Sequence, residues 1–270
     1  MSPAAPPASP RGAALVTGGA KRIGRALSLA LAGAGFDLAI HAHSDAVSAE
    51  RTADEARALG RRATVVIADL ADEEAVSGMI SRAAEALGPV TLLVNNASLF
   101  LDDRVGDDRV GGLEREGWDR QFAVNLRAPV LLAQAFAAQS FGAQGGFGAD
   151  ADPAILNLLD QRVLRPNPQF FTYTLTKAAL WTATRTLAQA LAPRIRVNGV
   201  GPGPTLASVH QDPATFAAEA AGTLLERVVD TADLCAAALY LVDARTVTGQ
   251  MLAVDSGQHL GWRTPDIVSP

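Results

Sequence analysis

Lysine and tyrosine are almost missing from this 270-residue chain: it has two of each, Lys21, Lys177, Tyr173 and Tyr240, and takes nearly all its positive charge from arginine. Cysteine occurs once, at Cys235, so an internal disulfide framework is excluded. That cysteine lies in the apolar helical stretch Ala232–Val242, which suits a small buried hydrophobe better than a nucleophile. No apolar run approaches the roughly 18 residues that a membrane-spanning helix requires. The formal net charge of −5, with both signs mixed along the chain, leaves no basic stripe to follow a phosphate backbone, and nucleic acid is not expected as a partner. The opening Met1–Pro10, rich in Pro, Ala and Ser, lacks the basic start and apolar centre of a signal peptide. Residues 1–11 read as a disordered tail, and the protein is expected in the cytoplasm.

About half of the residues are apolar (49%), enough for one large core. Short aliphatic runs predict strands at Ala14–Thr17, Asp37–Ala42, Ala63–Ala68, Thr91–Asn95, Ala154–Leu159, Arg194–Val200 and Met251–Val254. Ala-rich amphipathic segments between them predict helices at Ile23–Ala34, Ser48–Leu59, Glu73–Leu87, Glu114–Phe141, Thr172–Leu191 and Ala232–Leu241. The alternation is that of βαβ units. With right-handed crossovers it gives an α/β, doubly wound, Rossmann-type fold: a seven-stranded parallel sheet with helices on both faces, a single domain over residues 12–270. Asp102–Gly111, which reads DDRVG twice, and the glycine-rich Gly142–Asp152 are expected to be mobile surface insertions.

Ligands of such sheets bind beyond the carboxyl ends of the strands, and the polar residues of interest fall there. Tyr173 and Lys177 stand four apart, on one helix face, and Asp160, thirteen residues before Tyr173, ends a strand where it can meet them. A phenol beside an ammonium is a proton-delivery site. Lys177, together with the charge of a bound nicotinamide, is expected to draw the phenol's pKa down from its ordinary value near 10.

After the first strand, Thr17-Gly18-Gly19-Ala20-Lys21-Arg22-Ile23-Gly24 opens a helix whose positive end could face a pyrophosphate. Lys21 and Arg22 add positive charge there. Beyond the second strand stand His41, His43 and Ser44 where an acid would select NAD, so NADP is favoured, with Asp45 just beyond as the opposing feature. His41 and His43 share a strand face, but without further ligands they read as strand-end residues and no metal is expected. Asp69, followed by Leu70, either accepts a hydrogen bond from adenine or N-caps the next helix. Asn96 and Ala97 allow close approach of backbone to ligand, and Pro202-Gly203 closes a strand with a flat turn suited to a nicotinamide ring.

Together these motifs, with Asn125 in Val124-Asn125-Leu126 and the closing Val254-Asp255-Ser256-Gly257, resemble the short-chain dehydrogenase/reductase family from about residue 13 to about residue 262. Two departures, Arg22 for the middle glycine of the turn and Asp160 for the usual serine, resemble its pteridine reductase branch, which includes dihydromonapterin reductases. So do Ser98 and Phe100 in Asn-Asn-Ala-Ser-x-Phe. The resemblance implies NADPH as cofactor, held by the turn, Tyr173 and Lys177. It also implies a pterin or folate-type substrate contacted by Arg22, Ser98, Phe100, Asp160 and Tyr173, a water chain anchored by Asn125, and a homotetramer. Asp160 is the discriminating residue: an ionised carboxylate cannot donate to a carbonyl oxygen, yet accepts from the N–H and amino donors of a pterin. The alternatives are an NADPH-dependent carbonyl reductase acting on 3-oxoacyl thioesters, a catalytically silent dinucleotide-binding protein, a buried capping role for Asp160, and core packing for Phe100.

Overall fold

The computed structural model describes residues 11–106, 112–139, 151–207 and 211–262. Seven strands, β1 (Ala13–Val16), β2 (Asp37–Ala42), β3 (Ala63–Ile67), β4 (Val90–Asn95), β5 (Ala154–Leu158), β6 (Arg196–Pro202) and β7 (Met251–Val254), form one sheet in the order β3-β2-β1-β4-β5-β6-β7. Every neighbouring pair is parallel. Because side chains alternate along a strand, β1 sends Ala14 and Val16 to one face and Ala13 and Leu15 to the other. Helices α1 (Arg22–Gly33), α2 (Ala46–Ala58) and α9 (Thr231–Asp243) cover the first face with Leu27, Leu31, Ala53 and Leu241. Helices α3 (Glu73–Ser77), α4 (Met79–Leu87), α6 (Ala128–Ala138) and α7 (Phe171–Leu191) cover the second with Val76, Ile80, Phe136 and Ala188. Strand order reverses at β1, between β2 and β4, and the crevice at their carboxyl ends is where such folds take ligands.

Three expected elements differ. The helix over Glu73–Leu87 is broken at Gly78, a weak helix former that caps α3 and starts α4. The helix over Glu114–Phe141 becomes α5 (Arg115–Phe122), a π-helical turn at Ala123–Arg127, and α6; Phe141 lies outside the described residues. Pro129 has no N–H to close on the Asn125 carbonyl, and the turn widens so that Ala128 N–H reaches the Ala123 carbonyl instead. A further helix, α8 (Pro213–Ala221), starts where the Asp212 side chain accepts from Ala214 and Thr215 N–H, a cap followed by proline at the first helical position. The expected tail lies outside the described residues except for Arg11, which pairs with Asp243 and lies over the Phe36 ring. The insertion Gly142–Asp152 is described only from Ala151 on, and of the tandem repeat only Asp102–Gly106 is described, held by Asp103. No helix among the described residues is long and apolar enough to cross a membrane.

Candidate active site

Asp160 follows β5 in extended conformation and caps a short 3₁₀ turn, its Oδ1 accepting from Arg162 N–H at 2.8 Å. Its other oxygen, Oδ2, accepts from Tyr173 Oη at 3.0 Å. The carboxylate is thus both a local cap and a partner of the phenol. Lys177, one turn further along α7, is buried and donates to the Leu158 carbonyl at 2.7 Å. Burial pulls its ammonium down to about 8, with Asp160 opposing. Burial first, then the adjacent Asp160 charge, pushes the Tyr173 phenol well above its ordinary value, and burial raises the Asp160 carboxyl. The expectation that Lys177 makes Tyr173 more acidic is corrected here: in the protein alone the phenol bonds to a carboxylate while the ammonium faces Leu158, 5.6 Å from the ring centroid. The outcome is a phenol that keeps its proton.

Asp160 and Tyr173 line a cleft of about 640 Å³ together with Phe100, Phe170, Arg162 and the Pro202-Gly203 turn. Phe100 stacks on Phe170, centroids 3.9 Å apart at 15°, and meets Tyr173 edge-on at 4.6 Å. Arg162 lies over the Phe170 ring at 5.4 Å. Gly203 is small for a reason other than a flat ligand: a Cβ there would come within 2.6 Å of the Asp255 backbone just after β7.

A second cleft of about 460 Å³, at the β1/β4 crevice, gathers Gly18, Lys21, Arg22, Ile23, His41, His43, Asp69, Leu70, Asn96, Ala97 and Ser98. Ser98 and Arg22 therefore line this cleft rather than the one holding Phe100, and the exposed Ser44 lines neither. Several of these residues spend their polar atoms on the scaffold. Thr17 Oγ1 accepts from Asn96 and Ala97 N–H at 2.9 and 3.0 Å, and Asn96 Nδ2 donates to the Thr17 carbonyl at 2.9 Å. His41 is buried, with Nδ1 accepting from Gly18 N–H and Nε2 donating to the Ala68 carbonyl, both at 3.0 Å. Burial lowers its pKa, and the neutral ring pins the glycine turn to β3 with no nitrogen left for a phosphate or metal. Gly24 is required by contact, since a Cβ would lie 2.0 Å from the Gly18 carbonyl oxygen. Lys21 pairs with Asp45, whose carboxyl is drawn down to about 2 by that lysine and by its capping bond to Ser48 N–H. Asp69 does not cap α3, a role taken by Asp72; it accepts from Ala71 N–H at 2.9 Å and pairs with Arg120 at 3.1 Å. The first turn of α1 has no side-chain cap, which leaves backbone donors at a positive helix end available to an anion.

The family model described as enoyl-(acyl carrier protein) reductase matches residues 18–259. The chain belongs to the short-chain dehydrogenase/reductase family. Among solved structures it is similar to the FolM alternative dihydrofolate reductase 1 from Brucella canis complexed with NADP, with 45% identity, a TM-score of 0.87, and coverage of 98% of this chain and 100% of that one. The Brucella suis protein of the same name, also in complex with NADP, gives 46% identity, a TM-score of 0.86, and coverage of 95% and 98%. An uncharacterized oxidoreductase, MT0954, from Mycobacterium tuberculosis is 31% identical over 250 residues, 90% of each chain.

Within this family member, Asn125 is a clasp. It is fully buried, its Oδ1 accepts from Leu99 N–H at 2.7 Å and Ser98 Oγ at 3.2 Å, and its Nδ2 donates to the Leu99 carbonyl at 2.9 Å and Thr176 Oγ1 at 3.1 Å. The side chain thus ties the loop after β4 to the helix that carries Tyr173. Arg120 lines the second cleft without having been singled out in the sequence, on a stretch where its only signal was helical periodicity; Val124, quoted only as a neighbour of Asn125, lines it too. Gln211, Thr215 and Glu219, on and before α8, line the cleft of Asp160 and Tyr173 from a region without a recognisable motif.

Proposed function

We propose that this protein is an NADPH-dependent reductase that delivers hydride to a C=N bond of a pterin or dihydropterin. The observation that carries the reading is the 3.0 Å bond between Tyr173 Oη and Asp160 Oδ2. Where a carbonyl reductase needs a neutral donor to polarise an oxygen, this site has a carboxyl group, which would repel a forming alkoxide and suits the N–H and amino donors of a pterin. The FolM likeness, at 45% identity over almost the whole chain, supports the same reading and the choice of NADP. The uncapped start of α1 and the exposed Lys21 are a donor set that fits a pyrophosphate.

NADPH, when bound, supplies the hydride. Tyr173 then gives its proton to the ring nitrogen as charge develops there, which balances the addition of one hydride and one proton across the bond. The raised phenol pKa keeps that proton in place until the nitrogen becomes basic. Lys177, with one N–H committed to Leu158, has two N–H groups left to hold ribose hydroxyls and offset negative charge left on the phenol. Asp160 orients the heterocycle, and Asn125, on family grounds, anchors the water that resupplies the proton.

The test follows NADPH absorbance with 7,8-dihydropterins, dihydrofolate and an acetoacetyl thioester in parallel. Oxidation with the first two is expected. Oxidation with the thioester alone removes the pterin reading, and none with any substrate favours a silent binding protein. A homotetramer is proposed on family grounds, supported by the exposed apolar Tyr240, Leu252, Leu260 and Trp262 near the β7 edge of the sheet, and size exclusion at four times the chain mass tests it. The cytoplasm is the proposed location.

A further inference from the structure

Arg22 holds a backbone conformation that its side chain disfavours. Its φ is +52°, in the left-handed region that glycine enters freely and other residues enter with strain. Strain of this kind persists where surrounding contacts over-determine it, and it concentrates at functional positions. The contact in question is specific. The guanidinium Nη2 donates to the carbonyl oxygens of Leu206 at 3.1 Å and Ala207 at 2.8 Å, 184 and 185 residues away. Those carbonyls belong to the segment that leaves β6 through Pro202–Thr205. At its start the segment is held by Val229 N–H on the Pro204 carbonyl at 2.8 Å; further on, Arg22 supplies the hydrogen bonds. Pro204, Thr205 and Leu206 form one wall of the cleft that holds Asp160 and Tyr173, whereas Arg22 itself lines the neighbouring cleft at the β1/β4 crevice.

We propose that Arg22 is a positioning residue that clasps residues 206–207 to the nucleotide turn, so that the wall of the substrate cleft is set by the turn that holds the cofactor. This rests on reading the larger cleft as the substrate site, as argued above. Both bonds come from one terminal nitrogen, Nη2, which the long arginine side chain carries to two adjacent carbonyls. On this basis the guanidinium serves the substrate side more than the phosphates, even though it rises from the glycine turn.

Arg22→Gly tests the clasp without endangering the fold, because glycine adopts the left-handed turn freely and only the guanidinium is lost. Arg22→Lys keeps the charge on a shorter side chain with a different donor geometry. Hydrogen–deuterium exchange at the Val229 amide, which donates to the Pro204 carbonyl of this segment, is expected to quicken about tenfold in both variants in protein without substrate. The KM for a dihydropterin is expected to rise about tenfold, as for loss of two charge-assisted hydrogen bonds partly replaced by water. NADPH affinity, titrated by fluorescence, should change less than about threefold. Unchanged exchange at that amide overturns the clasp. So does a loss of NADPH affinity as large as the rise in KM that Arg22→Lys repairs, which would make Arg22 a phosphate ligand. Exchange is read without substrate, so failure of the wild type to turn over dihydropterins would remove the functional reading while leaving the clasp to be judged by its own measurement.

Discussion

The Tyr173 phenol and the Asp160 carboxylate, on α7 and at the end of β5, share one hydrogen bond of 3.0 Å. Both groups are pushed toward their protonated forms, the carboxyl by burial and the phenol by burial and by the carboxylate itself. The pair therefore stores a proton at the mouth of a cleft. Under the proposed function, a heterocycle nitrogen that becomes basic as hydride arrives would draw it off.

Removing the stored proton should remove the reaction and little else. In Tyr173→Phe the ring still meets Phe100 edge-on, and only the hydroxyl is lost. We expect kcat to fall by about 10²–10⁴-fold, the usual contribution of a positioned general acid, with NADPH affinity unchanged in a fluorescence titration. Turnover within tenfold of the wild type would show that the proton comes from elsewhere.

The basic side of the pH–rate profile should belong to Lys177. Its ammonium titrates at about 8, whereas Tyr173 stays protonated well beyond that. Turnover is therefore expected to be level below about pH 8 and to fall above it, and a profile flat to pH 10 would refute the assignment. The stability sign runs the other way. A lysine whose folded value lies at about 8 against an ordinary 10.5 opposes folding fully below pH 8, and that penalty fades as pH rises from 8 to 10.5.

The seven parallel strands, both helical layers and the meeting of Asp160 with Tyr173 could be read from the sequence, because they follow from period, length and chain direction. What escaped reading depended on partners distant in sequence. Nothing near His41 announces that Gly18 and Ala68 will occupy both its nitrogens, and nothing near Arg22 points to Leu206 and Ala207. The π turn was hidden because Pro129 sits in a stretch whose apolar pattern is otherwise helical. Helix α8 had a local signal, Asp212 followed by Pro213, within an alanine-rich segment that matched no family motif. In the protein alone the pKa of Tyr173 lies above its ordinary value, because burial and the aim of the carboxylate, neither visible in the i, i+4 spacing, outweigh the neighbouring ammonium.

Asp160 should trade stability for function. Its side chain is only 20% exposed, and burial opposes its charge. Asp160→Asn keeps an acceptor for Arg162 N–H and removes the charge, so the melting temperature at pH 7 is expected to rise by about 2–4 °C while dihydropterin turnover collapses. The sign check is direct: a carboxyl raised in the folded state is favoured when protonated, so the advantage of the variant should shrink as pH falls through that raised value toward 4. A variant less stable than the wild type at pH 7 would show that the carboxylate is a net structural asset.

The catalytic helix has its cap from another loop, and that cap should be measurable. Phe170, at the N-cap position of α7, offers no side-chain acceptor and has φ +52°. Asp103, buried in the first DDRVG copy, supplies one instead: Oδ1 accepts from Thr172 N–H at 3.0 Å, its carbonyl accepts from Phe171 N–H at 3.1 Å, and Oδ2 accepts from Gln121 Nε2 at 3.4 Å. Asp103→Ala leaves two buried donors unpaired and should cost about 1–3 kcal/mol, read as a lower denaturant midpoint at unchanged slope. Because Tyr173 follows Thr172 directly, kcat should also fall several-fold. Asp103→Asn, which keeps the acceptor for Thr172, should restore most of both losses. An alanine variant with wild-type midpoint and kcat would mean that the first turn of α7 is fixed by packing alone.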